Sequence, residues 1–354
     1  MTYLDYQAST PLAPEARAAM LPWLDEAGSA NPHSPHAPGR AAKAAVEVAR
    51  EQVLTLLPPD GRVIFTGSAT EALNLAIQGS KCAQIAVSAI EHAAVLDTAQ
   101  AVAQVHELPV ESDGLVDPEV PLASYIQLVA VMQVNNEIGT IQPVDTLAER
   151  AHELGALFLC DAVQGGGKLA APAGADLITL SAHKLHGPKG IGALWVRDGV
   201  TVNPLIHGGG QEGGLRSGTV SPALCAGFGA AAALAVTLRE QDAAHVAALW
   251  AAAREVLSDW TLNGSADQRW LGNLNLRRER QDVARLISEC RQIAFSAGSA
   301  CASGSGRPSH VLRAIGLSDA QAKSSIRLGF GRYTSMDELV AACRVIDAAA
   351  RAQE

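Results

Sequence analysis

Between Asp161 and Lys184 the sequence places a carboxylate, an amide, an imidazole and an amine in a short span: Asp161-Ala-Val-Gln164, the apolar run Leu177-Ile-Thr-Leu180, then Ser181-Ala-His183-Lys184. A lysine that follows a buried strand directly is well placed to condense with an aldehyde, because an ammonium gives up its proton most easily where water is scarce. Asp161 closes a second apolar run, Ala156-Leu-Phe-Leu159, and is placed to hold a ring nitrogen in its protonated form. Those are the requirements of pyridoxal phosphate. A dianion would need a seat too, and Val63-Ile-Phe-Thr66 runs into Gly67-Ser-Ala-Thr70 and a helix opening at Glu71. Unpaired amides at a helix start stabilise phosphate. Ser68 and Glu71 also have the spacing of a simple capping box. Far downstream, Cys301 sits in a run of small residues, Ser296 to Gly306, as a thiol with reach.

Other clusters read differently. Gly208 to Gly213 matches the dinucleotide fingerprint in form only, since no strand passes straight into a helix there, and Gly165-Gly-Gly-Lys168 lacks the Ser or Thr of a phosphate loop. His33 with His36, and His183 with His186, have ligand-like spacing without a third ligand, so no metal site is expected. The six cysteines contain no C-x-x-C pair, which argues against a disulfide framework or a zinc ribbon.

The elements that must position these groups alternate. Short β-type runs at Val63–Thr66, Ile85–Val87, Gln127–Met132, Ala156–Cys160, Leu177–Leu180 and Gly192–Val196 are separated by helical stretches such as Glu71–Gln78, Ala93–Ala103 and Thr146–Leu154. That order predicts an α/β fold with a mainly parallel sheet covered by helices. Long alanine-rich helix, over 223–238 and 243–257, is expected to connect it to a smaller α+β part. The 354 residues, 48% hydrophobic and 18% charged, suit a soluble globular chain. A net charge of −9 without basic tracts argues against nucleic acid and anionic membrane surfaces. No stretch reads as a membrane span and the N-terminus has no signal pattern, so a cytoplasmic location is expected.

A resemblance covers nearly the whole chain. Tyr3-Leu-Asp-Tyr-Gln-Ala-Ser-Thr-Pro11, Asn31-Pro, Phe65-Thr-Gly-Ser-Ala-Thr-Glu71, Glu91-His-Ala-Ala-Val-Leu-Asp97, Val134-Asn-Asn-Glu-Ile-Gly139, Asp161 to Gln164, Ser181 to Lys184, Gly187 to Gly192, His207 to Gln211, Arg216-Ser-Gly-Thr219, Gly298-Ser-Ala-Cys301 and Ser324-Ser-Ile-Arg327 resemble, in order, the motifs of cysteine desulfurases of the NifS and IscS type. The resemblance implies the pyridoxal phosphate fold type I of aspartate aminotransferase, with a mainly parallel seven-stranded sheet. It implies a large domain at 14–238 and a small domain of 1–13 and 239–354 carrying the cysteine loop at about 296–308. A homodimer with its active site near the interface follows.

Carried over residue by residue, Lys184 resembles the Schiff-base lysine and later base, Asp161 the partner of the ring nitrogen, and His92 the imidazole stacked on the ring. Gln164 and Asn136 are similar to the residues that bond the ring hydroxyl and orient substrate. The Ala69 amide, Thr70, Ser181 and His183 would hold the phosphate, with Thr219 reaching in from the other subunit. Arg327, assisted by Asn31, resembles the substrate-carboxylate site, a task suited to a planar bidentate donor. Cys301 resembles the nucleophile that takes sulfur from L-cysteine as a persulfide and leaves alanine, for iron–sulfur cluster assembly or thiolation through an acceptor or scaffold protein.

Gly67-Ser68 inverts the family's usual order, Val163 replaces a typical threonine and Gly213 a frequent arginine. The chain ends soon after Ile346, so the C-terminal extension that helps scaffold docking in the IscS type is expected to be missing. The alternatives are a selenocysteine lyase or another lyase of the same family, and, in a different class, a non-catalytic dimeric binding partner.

Overall fold

The computed structural model describes residues 1–25, 28–298 and 309–353. Strand β1 (Thr2–Tyr3) is followed by helices α1 (Pro14–Met20) and α2 (Ala37–Leu54). Strands and helices then alternate: β2 (Gly61–Thr66), α3 (Ala69–Ser80), β3 (Gln84–Ser88), α4 (Ala93–Val102), β4 (Gln104–Leu108), β5 (Leu128–Ala130), α5 (Val144–Glu153), β6 (Leu157–Asp161), β7 (Leu177–Ser181) and β8 (Gly192–Arg197). These seven strands form one sheet in the order β2-β8-β7-β6-β5-β3-β4. The pairs from β7 across to β4 are parallel, and β8 runs antiparallel to both of its neighbours.

A sheet covered on both faces needs strands that are apolar throughout rather than alternating. Leu177-Ile-Thr-Leu-Ser181 is buried at every position for that reason. Separate hydrophobic clusters fill the two faces, one around Phe65, Phe158, Trp195 and Phe228, the other around Leu73, Ile77, Ile85 and Leu194. The strand order also sets the site. Asp161 lies opposite Thr179 in the β6–β7 register, so the carboxylate and the lysine just past β7 emerge at the same carboxyl edge of the sheet. Crevices at that edge are where open α/β sheets bind ligands.

Helix α6 (Pro222–Val256) is one unbroken connecting element that runs through both expected helical stretches. The polar joint Arg239-Glu-Gln-Asp242 holds no Gly or Pro, so nothing in it stops the helix. Joined, α6 is long and apolar enough to cross a membrane by length and composition alone, contrary to the expectation that no stretch reaches that size. Its first half packs into the core beneath the sheet through Phe228 and Ala231, and its second half into another core through Val246, Leu249 and Ala253.

The remaining elements are β9 (Thr261–Leu262), β10 (Asn273–Arg277), α7 (Val283–Glu289), β11 (Ile293–Ala294), β12 (Ser296–Ala297), α8 (His310–Ala314), α9 (Asp319–Lys323), β13 (Ser325–Gly329) and α10 (Met336–Arg351). Helices α8 and α9 pack through Val311, Leu312 and Ala322 in a cluster with Ile90 and Ile138, and the others build that second core. A four-stranded sheet, β12-β13-β10-β9, packs on α10, while β1 pairs with β11. Trp260 is buried there and its Nε1 donates to Asp347 at 2.9 Å, which satisfies the one polar atom of a large apolar ring.

Candidate active site

A cavity of about 340 Å³ opens at the carboxyl edge of β6 and β7. Lys184 ends the single 3-10 turn that follows β7, Ala182–Lys184. Its ammonium donates to Ala8 O at 3.0 Å and to Gln7 O. Gln164, in the turn after β6, donates from Nε2 to the same Gln7 carbonyl at 3.0 Å. The N-terminal segment is thus a wall of the site.

Asp161 is buried at the end of β6, and its Oδ1 accepts from the Val163 amide at 3.0 Å and Thr179 Oγ1 at 3.4 Å. Burial raises the carboxyl above its ordinary value, against the pull of the Val163 amide, His92, Thr179 and Lys184. An acid in that condition stabilises a cationic partner that shares its burial. His92 caps α4, its Nδ1 accepting from the Ala94 amide at 3.1 Å, and lines the same cavity.

The α3 start supplies the anion seat. Ser68 is its N-cap, with Oγ accepting from the Glu71 amide at 3.2 Å, and Ala69 and Thr70 begin the helix inside the cavity. The Glu71 side chain turns away to accept from the Gly67 amide at 2.7 Å and from Arg216 Nε at 2.7 Å. A Cβ at position 67 would stand 2.9 Å from Glu71 Oε2, so that carboxylate would have to shift. Ser181 and His183 close the seat. His183 meets Ser9 Oγ at 3.2 Å, and burial, then the Lys184 and Lys189 charges, push its ring down to about 4.

Arg327, from the small sheet, reaches the opposite side. It is 1% exposed, with Nη2 donating to Asp5 at 2.8 Å and Nη1 to Asn136 O at 3.1 Å. Among the described residues its buried Nε has no hydrogen-bond partner.

The comparisons with known proteins fall on this geometry. The class V aminotransferase family model matches residues 2–341. The chain belongs to the class V aminotransferase family. Cysteine desulfurase IscS of Rickettsia bellii is 41% identical over 97% of this chain and 90% of its own. The protein of the same name from Rickettsia rickettsii is 40% identical with the same coverage. Among solved structures, a NifS-like protein superposes with a TM-score of 0.90 at 30% identity over 98% of both chains. A structure described as SspA in complex with cysteine does so at 0.83 and 34% identity, over 95% of this chain and 100% of that one.

This member of the class V aminotransferase family has the pyridoxal phosphate fold type I, and its residues fit that cofactor. A buried acid, a lysine at a strand end and open amides at a helix start surround a cavity large enough for the ring and phosphate. Ala69, Thr70, His92, Asn136, Asp161, Gln164, Ser181, His183, Lys184 and Arg327 all line it. Asn31 and Thr219 do not. Both are exposed, and Asn31 Oδ1 accepts from the His33 amide at 2.9 Å. Cys301 lies outside the described residues. His36, one of the loop histidines, caps α2 by accepting from the Gly39 amide.

Three residues of this family member gave no sequence signal of their own. Gln7 offers the carbonyl that Lys184 and Gln164 share. Glu91, beside His92, is 1% exposed and burial lifts its carboxyl to about 8. Lys168 is a second, half-buried amine behind the site. Their neighbours in motif, His92, Gln164 and the opening segment, were the available clue.

Proposed function

We propose that this protein is a cysteine desulfurase that converts L-cysteine to L-alanine and carries the sulfur on Cys301 as a persulfide, for iron–sulfur cluster assembly or thiolation pathways. The observation that carries the reading is a single cavity holding Lys184, Asp161 and Arg327, in a chain 41% identical to a protein named cysteine desulfurase over 97% of its length.

Bound pyridoxal phosphate supplies an electron sink for the carbons of the amino acid. The chain's residues do the rest. Lys184 holds the cofactor and then moves the substrate protons. Asp161 keeps the ring nitrogen protonated, His92 covers the ring, and Gln164 and Asn136 orient ring and substrate. The Ala69 amide, Thr70, Ser181 and a neutral His183 hold the phosphate, joined by Thr219 from the second subunit of a homodimer. Arg327 receives the substrate carboxylate with help from Asn31.

Cys301 attacks as the thiolate, the reactive form of a thiol. The bond between Cβ and sulfur breaks and a sulfur–sulfur bond forms. The three-carbon fragment takes up a proton and leaves as alanine. The sulfur of Cys301 and that of the substrate each lose one electron in oxidation state as Cβ gains two, so no outside oxidant enters. Residues 14–238 act as the cofactor domain, and 1–13 with 239–354 as the domain that carries Cys301; the separate hydrophobic cores support this division. The enzyme works in the cytoplasm and hands sulfur to an acceptor protein.

The test adds pyridoxal phosphate to the purified protein, then L-cysteine or L-selenocysteine in separate reactions. The absorbance of a lysine-bound aldehyde, followed by alanine release from cysteine, is expected. Release from selenocysteine alone points to the lyase instead, and no cofactor absorbance points to the non-catalytic partner.

A further inference from the structure

Lys168 has no task in the scheme above. Its Nζ donates to Gln164 O at 2.8 Å and stands 5.8 Å from the centroid of the Trp270 ring. Burial, then the charge of Lys184, lowers this ammonium to about 7, and no carboxylate contributes to its state. A buried ammonium without a counter-ion is strongly disfavoured. Its position suggests what offsets that.

Gln164 stands between the two amines. Its backbone carbonyl accepts from Lys168, and its side chain donates to the Gln7 carbonyl that also accepts from Lys184. Around Lys168 the other charged or titratable groups are Tyr6, His186, Arg239, Asp242 and Arg332. Asp242 is bound by Arg332 at 2.6 Å, and burial pushes His186 down to about 4, leaving it neutral near pH 7. Lys184 faces Asp161, His92 and His183 across the larger cavity.

We propose that Lys168 and Lys184 form an antagonistic pair across Gln164, in which a proton on one amine opposes a proton on the other. Lys168 is then a positioning residue that biases Lys184 toward the neutral amine. This rests on the reading of Lys184 as the cofactor lysine. Were Lys184 to bond an aldehyde, its nitrogen would become less basic, and in the pH range where it gave up its proton Lys168 would take one, keeping the charge of the pair at one.

The experiment uses the full chain in two arms. Without cofactor, the pH dependence of acetylation at Lys168 is followed by mass spectrometry in the wild type and in Lys184→Met. The midpoint rises by about one pH unit in the variant, the effect of removing a nearby like charge. An unchanged midpoint overturns the proposal. With pyridoxal phosphate, the pH midpoint of the cofactor absorbance rises in Lys168→Met and Lys168→Gln, and falls or holds in Lys168→Arg, which is charged at every pH. Equal shifts in the Arg and Met variants would mean a merely structural role. Failure to take up cofactor counts against the proposed function, while the first arm still decides the pairing.

Discussion

Arg327 and Asp5 are joined at 2.8 Å, although 322 positions separate them in the chain. The guanidinium is buried and lines the cavity, while its carboxylate partner Asp5, in the N-terminal segment, is 20% exposed. A substrate carboxylate would bind where this one already shows the site to be complementary. Arg327→Lys replaces a planar fork with a point donor and loses a charge-assisted bond. KM for cysteine should rise about 10- to 100-fold, with cofactor absorbance unchanged. Steady-state kinetics beside a spectrum check both parts.

Asp161→Asn keeps the size of the side chain and removes its charge. An amide cannot hold a ring nitrogen in the protonated form, so turnover should fall by on the order of 10²-fold, with the lysine-bound cofactor still present. Alanine formation under saturating cysteine measures it. Undiminished turnover would remove Asp161 from the ring.

Ser68→Ala takes away the N-cap of α3. The cost should be about 1 kcal/mol of stability, read from denaturant unfolding of the cofactor-free chain. Because the same helix start is the proposed phosphate seat, the dissociation constant for pyridoxal phosphate should rise in the same variant.

His186 gives a pH signature. Its ring contacts Pro11 O at 2.9 Å, and burial pushes it down to about 4 from an ordinary 6.5. Between those values the unfolded chain binds a proton that the folded chain excludes. The stability it contributes is therefore full above about pH 6.5 and is lost as pH falls toward 4. His186→Asn keeps a donor and tolerates the positive φ of 68° at this position. Thermal melting of the variant should show a flatter decline across that window.

Parts of this molecule could be read in the sequence because their chemistry is local. β7 is a pure apolar run, and Lys184 follows it within one turn. β4, Gln104-Val-His-Glu-Leu108, has no apolar run to mark it because it is the edge strand of the sheet and three of its five residues are polar. The gap between the two alanine-rich stretches of α6 is a polar joint that is the solvated middle of one helix. Lys168 was passed over because its Gly-Gly-Lys context suggested only a failed phosphate loop. Its burial comes from Trp270 and the Gln164 turn, a long-range arrangement that no spacing announces. The Arg327–Asp5 pair is invisible for the same reason.

The most direct measurement is the mass of the peptide containing Cys301 after one equivalent of L-cysteine is added to the cofactor-loaded enzyme. The added mass of one sulfur atom on Cys301, alanine in equal amount, and the loss of both in Cys301→Ser with cofactor absorbance intact are predicted. An unmodified Cys301 peptide, or alanine formed as readily by Cys301→Ser, would contradict the account.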